Sequence, residues 1–172
     1  MNSTAQISND TMKGGQGSPS NQQMNSGQGN QGMIKFIADA MASNAEEIKL
    51  AKLGEAKSSN SELKNIAKTL VTDHTKMLND LRNMTSGKNM MHPDIDSSKA
   101  MTDVKMLTNS KPDDFDRTWT DMMIEGHRAI INRFKSAMTE VSEQQLKSWI
   151  SSGLPKIQMH LDKLTELRSK LK

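Results

Sequence analysis

The stretch LVTDHTKML, residues 70–78, decides the fold. Around it Leu63, Ala67, Leu70, His74, Met77, Leu81 and Met84 step alternately by four and three. That spacing is the buried seam of an amphipathic helix. His74 occupies a seam position where the pattern calls for an apolar side chain. Helical stepping by three and four recurs in three other segments, and each carries a titratable polar group on its seam.

The chain has 172 residues, enough for one domain of ordinary size or a smaller domain with a tail. Twenty-three Lys and Arg against 20 Asp and Glu give a formal charge of +3. The charges are interleaved, as in EEIKLAK and HLDKLTELRSK, which describes solvated helix faces and excludes a nucleic-acid patch. With no cysteine, neither disulfides nor thiol chemistry contributes. No stretch approaches the roughly 18–20 apolar residues of a membrane span, and no signal peptide is visible. Fifteen Met beside three Phe and two Trp imply a core of Leu, Ile, Ala and Met.

Residues 1–32 are mostly Asn, Gln, Ser and Gly, too poor in apolar area to offset ordering entropy, and are expected to be a disordered polar tail. Such a tail commonly tethers an exported domain, through a removed signal or a lipidated cysteine. Residues 33–172 are the folded domain. A first long helix is expected over Met33 to Lys57. Ser59 with Glu62 reads as a capping box opening a second, near Asn60 to Thr85. The segment SGKNMMHPDIDSSK is a loop, and residues 99–108 a short connecting helix. A third long helix opens at Pro112 and Asp113 and runs to about Glu140. A fourth begins at Ser142, is interrupted at Pro155, and resumes to the C-terminus. Four long helices with two tight hairpins and one longer crossover spell an all-α, antiparallel four-helix bundle.

The run FIADAMASNAEEIKLAKLGEAKSSNSELKNIAKTLVTDHTKMLNDL, with the later FDRTWTDMMIEGHRAIINRF and LPKIQMHLDKL, resembles the bacterial domain-of-unknown-function 4142 family. The resemblance spans about residues 34–168. It rests on the ordered set Glu-Ile, Asp-His, Phe-Asp, His and Pro-x-x-x-x-His-Leu. Trp119 stands where the family often has tyrosine. The resemblance implies a ferritin-like helical bundle in an exported protein, periplasmic or lipid-anchored, and it implies no activity.

In the third long helix Trp119, Met123, His127, Ile130 and Phe134 share a face. In the fourth, Gly153, Ile157, His160, Leu164, Leu167 and Leu171 do. In the first, Glu47 lies among Ala40, Asn44, Ala51 and Gly54, small neighbours that leave room for a carboxylate. Counting from the hairpin turns at 1.5 Å per residue puts Glu47 and His74 about 3 Å apart in level, and His127 and His160 about 5 Å. The four are expected in one layer of the core.

A buried carboxylate is costly unless paired or metal-bound. Two accounts follow. In one, Glu47, His74, His127 and His160 hold one transition metal ion, Zn, Fe or Mn. Asp73, Asp116 and Asp121 then orient the imidazoles from behind. In the other, the layer is a hydrogen-bond network in which a protonated histidine offsets Glu47, and the domain is a structural module for an envelope protein partner. The dinuclear pattern of active ferritins needs two Glu-x-x-His pairs. Here Val71, Ile124 and Ile157 stand three residues before the histidines, which disfavours two metals. NMMHP, residues 89–93, offers soft ligands for Cu(I), a weaker signal. No catalytic residue is assigned: the spacing shows no nucleophile triad and no phosphate loop. An enzyme at a mononuclear metal is a third reading behind the other two.

Overall fold

The computed structural model describes residues 20–86 and 98–171, and within them the chain is helical with no strand. The elements are α1 (Ser20–Lys57), α2 (Ser61–Thr85), α3 (Ser98–Thr108), α4 (Pro112–Glu140) and α5 (Gln144–Lys170). None of these helices is long and apolar enough to cross a membrane. Residues 1–19, 87–97 and 172 lie outside the described residues, and so do the expected loop and its NMMHP.

Three boundaries differ from expectation. α1 begins at Ser20, inside the stretch expected to be disordered, rather than at Met33. Among its residues from 31 onward, the buried positions begin at Phe36. A helix already nucleated there adds one hydrogen bond for each further residue fixed, and so propagates without an apolar face. α2 is capped by Asn60, not Ser59: the Asn60 side-chain oxygen accepts from the backbone N–H groups of Glu62 and Leu63. α5 runs through Pro155 without a break. Pro155 and Ser151 are both exposed, so the carbonyl freed by the missing N–H faces water. On the other side of α5, Ile150, Gly153 and Ile157 stay buried across the proline.

Each long helix packs against two others: α1 on α2 and α4, and α5 on α2 and α4. Contacts fix the directions. Asn44 of α1 meets His74 of α2, and Glu62 of α2 meets Lys170 of α5. Leu50 of α1 meets Trp119 of α4, and Asp121 of α4 meets Arg168 of α5. All four neighbouring pairs are therefore antiparallel, and α2 and α4 run in the same direction. The chain must travel the length of the helices between α2 and α4, and α3 lies on that connection, packed on α1 and α4. Leu107 anchors it, fully buried.

The apolar interior falls into two clusters. One contains Phe36, Ala40, Met77, Leu81, Ile131, Phe134, Ile150 and Ile157. The other contains Leu50, Leu63, Leu70, Trp119, Met123, Leu164 and Leu167. On every long helix the gap between the clusters is where the polar residues sit: Asn44 and Glu47, His74, His127, and His160. The polar layer divides the core.

Candidate metal centre

Helical periodicity delivers one imidazole from each of α2, α4 and α5 to the same level. The three rings make a nearly equilateral triangle, with centroids 5.5 Å apart for His74 and His127, 5.4 Å for His74 and His160, and 5.5 Å for His127 and His160. None is more than 1 % exposed. One nitrogen from each ring lies within 4.8 Å of the other two.

The outer nitrogen of each ring is held. His74 Nδ1 is 3.0 Å from the Asn44 Oδ1. The Asn44 amide nitrogen donates in turn to the Ala40 carbonyl at 2.7 Å, which leaves its oxygen to face the ring. His127 Nδ1 is 2.8 Å from the Met123 carbonyl, one turn earlier in α4. His160 Nε2 is 2.9 Å from Asp73 Oδ2. A carbonyl, an amide oxygen and a carboxylate only accept, so each outer nitrogen carries the proton. The inner nitrogens, His74 Nε2, His127 Nε2 and His160 Nδ1, are then lone pairs, buried and without a hydrogen-bond partner.

Electrostatics keeps the rings neutral. Burial holds His74 well below its ordinary range, with the nearby His127 and His160 adding to the effect. Burial pushes His127 down to about 4, and His160 is lowered mainly by burial as well. For Asp73 burial acts upward, but hydrogen bonds from His160 and Lys156 outweigh it and hold the carboxyl below its usual value. Asp73 is thus an ionised acceptor behind His160.

Glu47 belongs to the same level but not to the group of three. Its Oε1 is 3.5 Å from His127 Nδ1, the outer nitrogen, while Oε2 is buried without a partner. Burial, with the Glu46 charge second, raises its carboxyl to about 8. A carboxyl that is neutral at pH 7 needs no protonated histidine beside it. The ion pair expected of a purely hydrogen-bonded layer is therefore unnecessary.

Of the three aspartates expected behind the imidazoles, Asp73 stands there. Asp121 does not: its carboxylate takes the Arg168 Nε at 2.6 Å on the surface. It lies six residues before His127, about 9 Å along the axis. Asp116 is a further turn and more away, about 16 Å from the level of His127. The supports for His74 and His127 are instead Asn44 and a backbone carbonyl. Asn44 had a signal in the sequence, as a polar residue on the Glu47 face; the Met123 carbonyl had none.

Two glycines lie close to the layer. A Cβ on Gly126 would lie 2.8 Å from Glu47 Oε1, and one on Gly153 would lie 2.8 Å from the Met77 methyl carbon. Two turns from the layer, a Cβ on Gly54 would lie 2.6 Å from the Trp119 ring. That indole donates to the Leu50 carbonyl at 2.8 Å.

No curated protein and no solved structure matches the chain. The model of a family described as a domain of unknown function (DUF4142) matches residues 18–167. Since that covers most of its length, the chain belongs to this family.

Proposed function

We propose that this protein binds one transition metal ion, zinc foremost, between His74 Nε2, His127 Nε2 and His160 Nδ1, at the centre of an antiparallel, ferritin-like four-helix bundle. The observation that carries the proposal is the convergence of three buried lone pairs, each on a ring whose other nitrogen is fixed by an acceptor. Three lone pairs facing one another have no proton to share, so a hydrogen-bond network does not satisfy them. A cation does.

An acceptor behind each ligand histidine is the usual support of a metal-bound imidazole, setting the tautomer and raising its basicity. Zinc–nitrogen bonds of about 2.1 Å ask the three nitrogens to draw together by less than about 1 Å each. An all-imidazole set suits zinc, iron, copper or nickel better than manganese, which prefers oxygen donors. A single ion fits this layer, since no Glu-x-x-His pair is present to hold a second. Three protein ligands leave one position on a tetrahedral ion, where the metal supplies Lewis acidity to whatever occupies it.

Chelator-stripped, untagged protein titrated calorimetrically with zinc should take up one equivalent, and His74→Ala should take up none. Equal uptake by both would remove the histidines from the account. An extracytoplasmic location, implied by the family resemblance, is part of the same proposal and is tested by cell fractionation.

A further inference from the structure

The three histidines are sealed from solvent, so a metal needs a way in. Among the described residues a space of about 10 Å³ borders His74 itself, and two larger depressions reach the acids that flank the layer. One, of about 120 Å³ between α2 and α5, reaches Asp73, whose two oxygens are taken by His160 and Lys156. The other, of about 320 Å³, lies against α1, α3 and α4, and Glu47 is part of its wall.

In this second depression both cations are engaged by acids. Arg133 stands 3.3 Å from Asp39, and Lys99 donates to Glu46 and Asp103. Glu47 is different. It is 96 % buried, its Oε2 has no partner, and its Oε1 is 3.5 Å from the outer nitrogen of His127. The bare backbone of Gly126 gives the carboxyl its room, since a methyl there would meet Oε1 at 2.8 Å. One imidazole ring therefore separates the carboxyl group at the end of this depression from the three inner nitrogens.

We propose that this depression is the port through which the metal loads, and that Glu47 is the first protein ligand the cation meets before the histidines. The proposal rests on the metal reading above. Glu47 is then a transit ligand, and its role is in rates rather than in the final affinity.

The test uses the full chain, stripped of metal, and cobalt(II), whose visible absorption reports histidine coordination. Uptake is followed by stopped flow, and release by chelator challenge. Glu47→Gln should slow both by about tenfold or more, because an amide, unlike a carboxyl, cannot give up a proton to become an anionic oxygen ligand as the cation arrives, with affinity unchanged. Ala129→Arg adds a cation at the exposed rim without touching the core and should also slow uptake. Asp80→Asn, at the opening between α2 and α5, should change neither rate. Wild-type rates in both Glu47→Gln and Ala129→Arg would overturn the port. So would a loss of affinity in Glu47→Gln at an unchanged uptake rate, which makes Glu47 a resident ligand. Absence of any cobalt band in wild type overturns the metal reading, and the port with it.

Discussion

Asp73 of α2 and His160 of α5 are joined by a 2.9 Å hydrogen bond from His160 Nε2 to Asp73 Oδ2, and Lys156 holds the other carboxylate oxygen at 3.1 Å. The bond crosses between helices, fixes the tautomer of a buried ring, and turns His160 Nδ1 inward. Asp73→Ala should lower zinc affinity by about 10- to 100-fold, the usual effect of losing such a support. Asp73→Asn keeps an acceptor without the charge and should lose less. Competition against a chromophoric chelator measures both, and equal affinities in all three proteins would contradict the role.

Without metal, stability should peak near pH 6.5. The three histidines have lowered pKa values in the folded state, so below 6.5 the unfolded chain binds more protons, and stability falls as pH drops toward about 4. Glu47 acts the other way. Its proton is kept to about 8 in the folded state and released from about 4.5 in the unfolded one, so its contribution declines as pH rises across that window. Below 6.5 three histidines outweigh one carboxyl; above it Glu47 acts alone, at no more than about 1.4 kcal/mol per pH unit. Glu47→Gln should flatten the profile between pH 6.5 and 8, read by denaturant unfolding of chelated protein.

Gly54→Ala should destabilise the fold by about 1–3 kcal/mol, because a methyl would meet an indole that is fully buried and tied to Leu50. Gly126→Ala should lose less. Its obstacle is the end of the Glu47 side chain, and alanine regains up to about 1 kcal/mol of helix propensity. Thermal unfolding of the two variants gives the order, and the reverse order would contradict the packing described.

A chain beginning at Gly32 should melt within a few degrees of the full-length protein. From residue 31 onward the first buried position is Phe36, and a Cβ on Gly32 would touch nothing within 4 Å. A large drop in melting temperature would show that the earlier turns of α1 carry packing.

Counting along the chain placed all four polar groups in one layer because the rise of a helix is fixed, so depth follows from residue number. Direction around the axis follows less closely. Glu47 is at the right level, yet it faces the outer side of His127 rather than the three lone pairs. Asp73 was legible as a neighbour of a seam histidine, but Asp116 and Asp121 have the same composition and simply lie at other depths. The Met123 carbonyl could not be read from side-chain types, since every residue has one. Asn60 and Ser59 are both good caps one residue apart, and backbone geometry chose between them. Pro155 was read as a break because the rule concerns its own lost bond, whereas the exposed face on which it falls makes that loss tolerable.

The most direct test of the metal centre is anomalous diffraction at the zinc edge from crystals of the chelated protein soaked in zinc. One strong peak should appear within bonding distance of His74 Nε2, His127 Nε2 and His160 Nδ1, with Asn44, the Met123 carbonyl and Asp73 still behind the rings. No peak between the three histidines, with the rings unmoved, would contradict the account.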